Sequence, residues 1–559
     1  MATNATAAPA KQGWALPLAV LISGMFMSVL DVSIVNVAIP TMQNDFGVTT
    51  DEIQWVSTAY SLSLGVVVPV TSWLSAKFGL SRLYLVSLVG FAAGSALCGL
   101  AWNLWSMVAF RIVQAIPGGI LPVVTQTMLL RIVPREKMGA AMGMFGLGIV
   151  VAPAIGPTLG GYLVEYVDWR LIFFINVPVG ILGTVAAMML LPRFAPTGAG
   201  RFDVMGFLAI ATGLFSLLLA LTEGSSWGWT SYRVLILLTV SVLALALFVI
   251  IELEVDNPLL DVRVFRSWPF TNSLLLISVL RIGLFGVLFY IPLFLQLAQG
   301  LGAFETGLVL FPQALVMAVS MPLAGRIYDK IGPRWPAVIG LTILTIGTYD
   351  LHVATLDMTR GHLIGVLMFR ALGMGMSMMP IMTGGISAIP PTLVAHGSAF
   401  NNVVQRSVAA LGVAVLTAIL TSSQAQMLAD RTAMLASNPH LAQAGGPGVQ
   451  GRAIAMFGVY QQTNLQAFVA ALDELFVITA WLTAIGIGLA LLLRNGPLPA
   501  GPGHGPGAPG AGAPAAPGKA ATNGASPEQP ATAATPTAEP TEPITEPIEP
   551  VDGRSPALT

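Results

Sequence analysis

The chain has 559 residues, of which 55% are hydrophobic and only 9% charged, and its formal net charge is −1. Soluble domains carry about 25% charged residues, so this composition excludes a soluble globular protein, and the near-neutral balance gives no footprint for nucleic acid. Its one cysteine, Cys98, excludes an internal disulfide, and the five histidines, at 352, 362, 396, 440 and 504, lack metal-ligand spacing.

A bilayer takes about 20 apolar residues per helix. Runs of that kind predict helices near 14–40, 54–74, 83–101, 105–130, 139–164, 171–192, 204–222, 232–252, 271–297, 305–325, 337–356, 362–389, 398–420 and 473–494. The first is too long for a signal-peptide core and has no small-residue cleavage site after it, so it is expected to be retained. These make about fourteen spans, an even number, which puts both termini on one side. With the N-terminus inside, Lys77, Arg82, Arg131, Arg135, Lys137, Arg193, Arg201, Arg263, Arg266, Arg326, Lys330 and Arg334 fall in inner loops. The outer loops hold Arg170, Arg233 and Arg360 among acids such as Asp45, Asp51, Asp168 and Asp357. Positive residues favour the cytoplasmic side, so both termini are expected there, in a multi-pass protein of the cytoplasmic membrane.

The predicted organisation is an N-terminal segment, 1–13, and a six-helix bundle, 14–192. A linker with two extra helices, 193–252, leads to a second six-helix bundle, 253–494. The second bundle carries a long outer loop at 421–472. There "QAQMLADRTAMLA" and "VYQQTNLQAFVAALDE" have helical period around "AGGPG", which predicts a helical hairpin. Residues 495–559, rich in Pro, Ala, Gly, Thr and Glu, are expected to be a disordered cytoplasmic tail.

The halves echo each other. "SWLSAKFGLSR" (72–82) matches "GRIYDKIGPR" (325–334), and "VAFRIVQAIPGG" (108–119) matches "LMFRALGMGM" (367–376). Internal repeats of this kind mark secondary transporters. The expected fold is an all-α integral membrane protein of two pseudo-symmetric six-helix bundles plus two extra helices.

Three sets of residues carry candidate chemistry. The first comprises Gly325, Asp329, Lys330, Gly332 and Arg334, with Lys77, Gly79 and Arg82 as first-half counterparts. Asp329 can accept hydrogen bonds from a neighbouring helix N-terminus, and Arg334 is expected to pair with acids across the half interface, so the loop can latch an inner gate. The competing reading is that Lys330 and Arg334 only follow the charge rule for inner loops. In span 5, Gly156, Pro157, Gly160 and Gly161 allow close helix approach and a bend.

The second set is Asp31 and Arg111. A charge at mid-bilayer costs about 2.5–3.5 kcal/mol, so Asp31 is expected to face the bundle interior. Arg111 in span 4 is its natural partner. The pair either binds and releases a proton or only fixes helix packing. The third set is a pocket lining: Met374, Met376, Met378, Met379 and Met382 in span 12, Phe285, Tyr290 and Gln296 in span 9, and Asn36 and Gln114. Thioethers adapt to varied aromatic shapes, and Met also serves as helix filler.

The inner loop resembles that of the major facilitator superfamily. "LDVSIVNVAIP" (30–40), "RIVQAIPGG" (111–119), "VVAPAIGPTLGG" (150–161), "DWRLIFFINVPVG" (168–180) and "NPLLDVRVF" (257–265) resemble its fourteen-span drug/proton antiporter branch, the EmrB/QacA type. The likeness covers about residues 14–494. Ser72 and Ala76 replace the family's glycine and aspartate in the first-half loop, Ala115 replaces a glycine, and Pro117 adds a kink. Arg281 has no family role. The resemblance implies proton-driven export of amphipathic or cationic compounds by alternating access, with no cofactor beyond the proton gradient. It places span 5's glycine motif between the halves. It also implies a periplasmic adaptor protein and an outer-membrane channel if the cell has an outer membrane. The alternatives are export of one metabolite, lipid or antibiotic by the same fold, and a membrane-embedded enzyme. For the enzyme, no intramembrane serine has an evident histidine partner.

Overall fold

A computed structural model describes residues 13–353, 358–436 and 449–493. The expected tail, residues 1–12, Asp357 and the "AGGPG" turn lie outside these residues. Among the described residues, fourteen helices are long and apolar enough to cross a membrane, and there is no strand. Spans 1 to 7 are Ala15–Phe46, Thr50–Phe78, Leu80–Gly99, Leu104–Ile132, Arg135–Tyr166, Leu171–Leu190 and Val204–Trp227. Spans 8 to 14 are Tyr232–Glu254, Trp268–Leu297, Glu305–Ile331, Arg334–Val353, Arg360–Ser387, Pro391–Thr432 and Phe457–Leu491.

Local chemistry sets the ends. Gly47, at φ 65°, closes span 1. Thr49 and Glu52 form a reciprocal capping box at the start of span 2, and Asn103 with Ser106 does the same for span 4. Gly79 and Gly332 end helices at equivalent places in the two halves, both at φ 81°. A side chain there would be strained, so the repeated glycine reflects a repeated turn. We call the end of the bundle that carries Lys77, Arg82, Lys330 and Arg334 the basic end.

The last two spans differ from expectation. Helices Val394–Ala436 and Val449–Leu491 each have 43 residues. At about 1.5 Å rise each is roughly 65 Å long, about twice the hydrocarbon thickness. The helical segments expected inside 421–472 are therefore continuations of spans 13 and 14. Neither helix contains a proline, so nothing stops the period where hydropathy falls. Gln424 donates to Asn464 at 3.0 Å and Arg431 to Gln466 at 3.1 Å, tying the extensions together.

The extra spans sit at one side. Leu218 and Leu219 of span 7 pack with Leu62 of span 2. Only 17% of span 8's apolar window is buried, so that helix faces lipid. The linker before span 7 lies over the first-half loop, where Trp73 donates to the Gly200 carbonyl at 3.1 Å.

At the basic end the two bundles share one apolar core. Leu18, Met25, Leu129 and Phe145 of the first half belong to the same cluster as Phe270, Leu274, Met321, Met378 and Phe400 of the second. Toward the other end the cores separate, one around Ile34, Met107 and Phe173, the other around Ile291, Phe294 and Phe476. The bundle is thus sealed at its basic end. Spans 5 and 10 form the tightest seam. A Cβ on Gly139 would strike the Gly325 carbonyl, a Cβ on Gly325 would strike that of Gly139, and Gly143 lies against Met321 and Pro322.

This seam predicts an outcome. Gly325→Val forces the helices apart, at an expected cost of about 1–3 kcal/mol. A cysteine placed at Met321, fully buried here, is expected to react with maleimide several-fold faster in that background. The native Cys98 is buried and contributes little. Unchanged labelling would show that the glycine contact does not hold the seal.

Candidate functional site

Asp31 lies in the middle of span 1 with no exposed surface, and Arg111 of span 4 is 1% exposed. Arg111 Nη1 lies 2.5 Å from Asp31 Oδ2 and donates as well to Gln114 Oε1 at 2.8 Å. Gln114 Nε2 donates to Asp31 Oδ1 at 2.9 Å, which closes a ring of three side chains. Asn176 of span 6 adds a fourth, its Nδ2 donating to Asp31 Oδ1 at 3.3 Å and to Ser95 Oγ at 3.0 Å. Ser95 of span 3 donates in turn to the Phe173 carbonyl at 2.8 Å. Every one of these contacts on Asp31 is a donor, the arrangement an ionised carboxylate requires.

The guanidinium is held from its other side. Its Nε reaches the Val56 carbonyl of span 2 at 3.4 Å, and its Cζ lies 3.7 Å from the centroid of the Tyr60 ring. Cys98 Sγ donates to Gln114 Oε1 at 3.4 Å, a packing contact beside the network. One ion pair therefore ties spans 1, 2, 3, 4 and 6 at one depth. The first-half end opposite the basic end is pinned separately, where Trp169 and Arg170 both donate to Asp45 at 3.2 Å.

Asn176, Ser95 and Tyr60 are missing from the residues expected from sequence. The signal for Asn176 was present: it is the one polar side chain inside "LIFFINVPVG", at a depth where an unpaired amide is costly.

Asp329 spans the seam at the basic end. It accepts backbone hydrogen bonds from Gly139 at 2.7 Å and Ala140 at 3.2 Å. These are free donors of the first turn of the span 5 helix, whose partial positive charge favours a carboxylate. Arg334 does not cross to acids of the other half: its Nε donates to the Leu493 carbonyl of span 14 at 2.8 Å, because that helix end supplies the nearest unpaired acceptor. Lys330 and Arg82 are exposed, and Lys77 lies 4.4 Å over the Trp73 ring.

The span 5 glycines also depart from expectation. Gly156 and Gly160 pack against Ser33 and Ile34 of span 1, within one half, a side chain at Gly161 would meet nothing within 4 Å, and Pro157 is exposed, while Thr158 between them borders Gly307 of span 10. The cross-half glycine contacts are those of Gly139, Gly143 and Gly146, nearer the start of the same helix.

The expected pocket residues are not brought together. Gln114 belongs to the charge network. Met374 and Met378 are fully buried in the shared core, where their unbranched chains fill gaps, and Met379 lies against Gly146. Tyr290 is buried and hydrogen-bonds Thr417 at 2.7 Å, while Gln296 is exposed and Phe285 half-buried. Asn36 lies toward the opposite end and accepts from Ser57 at 3.0 Å. Among the described residues no cluster of side chains is arranged to hold a metal.

With this geometry in place, comparisons with known proteins are informative. Residues 21–413 match the family description Major Facilitator Superfamily. The chain is 32% identical over 493 residues to the uncharacterized MFS-type transporter YhcA of Bacillus subtilis, covering 86% of this chain and 92% of that one. It is 30% identical over 488 residues to the multidrug export protein EmrB of Escherichia coli, covering 86% and 95%. The proton:xylose symporter XylE shares the fold, with a TM-score of 0.54 at 13% identity over 86% of this chain and 96% of that one. The matched span, the fourteen apolar helices and the repeated halves agree: the chain belongs to the Major Facilitator Superfamily and is a multi-pass membrane transporter.

Proposed function

We propose that the protein is a proton-coupled exporter of amphipathic compounds, working by alternating access across the cytoplasmic membrane with its basic end in the cytoplasm. The similarity to EmrB, named a multidrug export protein, supports the export reading. The observation that carries proton coupling is the fully buried Asp31, whose only cationic partner among the described residues is Arg111. A proton on Oδ2 and the Arg111 contact exclude each other, so loading Asp31 frees the guanidinium. A proton crossing the membrane potential supplies about 2.3 kcal/mol per 100 mV.

The packing offers a route from that event to the gate. Asp31 is two and three residues from Ser33 and Ile34, which lie against Gly156 and Gly160 of span 5. Span 5 begins at the Asp329 contact. Loosening span 1 from span 4 thus acts on the helix that seals the basic end. The projecting ends of spans 13 and 14 offer a helical surface for a periplasmic adaptor. No cofactor beyond the proton gradient enters this scheme.

Two measurements separate coupling from a static ion pair. In inverted vesicles, a panel of amphipathic dyes is expected to accumulate only with a proton gradient and to be lost on adding a protonophore. Asp31→Asn is expected to abolish uphill transport, and uphill transport by that variant with normal pH dependence would sink the assignment. For stability, Asp31→Asn leaves Arg111 buried without its counter-charge, an expected cost of about 3–5 kcal/mol. The double variant Asp31→Asn/Arg111→Gln is expected to recover part of it in a thermal-unfolding cycle, and strict additivity would deny the energetic link.

A further inference from the structure

The two halves diverge at one matched position. Ser28-Val29-Leu30-Asp31 in span 1 recurs as Ser278-Val279-Leu280-Arg281 in span 9, so the first helix of each half carries opposite charges at the same place. Asp31 is fully paired, whereas Arg281 is not. Its matched neighbour in span 12 is Arg370, another cation, which turns to Thr348 Oγ1 at 3.0 Å and to the Gly283 carbonyl. Arg281 donates to Gln405 of span 13, and its Nε finds no acceptor on the protein among the described residues.

The next residue on span 13, Arg406, makes no hydrogen bond or ion pair with any described residue, and its Nε also lacks an acceptor. Arg281 bonds the residue next to Arg406, so the two guanidiniums serve one stretch of span 13, where like charges act on each other. On the same helix, Asn401 is 1% exposed with neither amide atom paired, and the hydroxyl of Ser398 is buried and unpaired. Asn402 spans the halves to Gln126 at 3.4 Å. Arg281 and Arg406 lie roughly 20 Å into helices that start at Trp268 and Val394, near mid-membrane. Cations at that depth face the bundle interior and mark substrate pathways when no acid answers them.

We infer that Arg281 and Arg406 form the anion-binding part of the transport site, taking a carboxylate, sulfonate or phenolate on an otherwise apolar substrate. This rests on the export reading above. An anionic oxygen placed between the guanidiniums relieves their repulsion and gives each unpaired Nε an acceptor, the planar fork for which arginine is suited. Asn401 and Ser398 supply adaptable polar contacts, and half-buried Phe285, one turn beyond Arg281, receives an aromatic body. A cationic substrate would meet two like charges at this part of the site.

The test compares two xanthene dyes of opposite charge, fluorescein and rhodamine 6G, binding the purified full chain in nanodiscs by fluorescence anisotropy. Fluorescein is expected to bind at least tenfold more tightly. Arg281→Gln and Arg406→Gln are each expected to weaken fluorescein at least tenfold, while Arg406→Lys loses less than threefold. Fluorescein binding no tighter than rhodamine 6G, or unchanged in both glutamine variants, overturns the inference. If the glutamine variants do not fold, the wild-type preference decides alone. No gradient is present in this measurement, so its failure is distinct from failure of the export reading, which shows as absence of uphill dye transport by the wild type.

Discussion

A charge inside a bilayer must be answered by the protein itself, and the pair Asp31–Arg111 is where this bundle meets that demand. Each group alone would be expelled toward water or neutralised. Together, with Gln114, Asn176 and the Val56 carbonyl completing the hydrogen bonds, they stay in a place with no exposed surface. Such a pair adds little net stability, because desolvation offsets attraction. Its effect is on specificity. Five helices have one relative depth and rotation at which all these donors and acceptors meet, and sliding any of them by a turn orphans a buried charge.

The same rule recurs at the basic end with backbone groups as the answer. Asp329 neutralises the open first turn of the span 5 helix, and that helix can approach only because Gly139 and Gly325 lack side chains. The carboxylate contact and the glycine contact depend on the same separation between helices. Neither survives if the halves rock apart, so the seal breaks as a unit. A set of contacts that is all made or all lost gives two states, which alternating access needs.

The spans were legible because a run of about 20 apolar residues has few alternative fates. The Asp31–Arg111 pairing was legible for a related reason: mid-membrane charges are so few that topology nearly dictates the match. The contacts that escaped reading involve groups a sequence does not mark. Arg334 goes to a backbone carbonyl at Leu493, which every residue carries. Gly156 and Gly160 meet span 1 rather than the other half, since small residues announce a close approach without naming the neighbour. The Met-rich wall of span 12 is core in this state because Met serves both uses equally. The last helices outrun their hydropathy because a helix ends at a breaker, and neither has one before the bilayer does.

The repeated frame makes the remaining asymmetry meaningful. Two halves built to one plan hold an acid in one and a base in the other at the same place. The acid is sealed by its own bundle, whereas the base bonds Gln405 and keeps a buried Nε without an acceptor among the described residues. On the proposed assignments, proton and substrate need not compete for one side chain. Tyr60, whose ring carries Arg111 at 3.7 Å, lies within electrostatic reach of Arg406 and would link the two proposed sites. Under the proposed coupling, a proton on Asp31 would take away the counter-charge of Arg111 while Arg111 still rests on that ring. An anion bound beside Arg406, as proposed, would feel the added positive field. On that reading a charge change in one half alters affinity in the other over a single aromatic side chain, and the linkage runs equally in reverse.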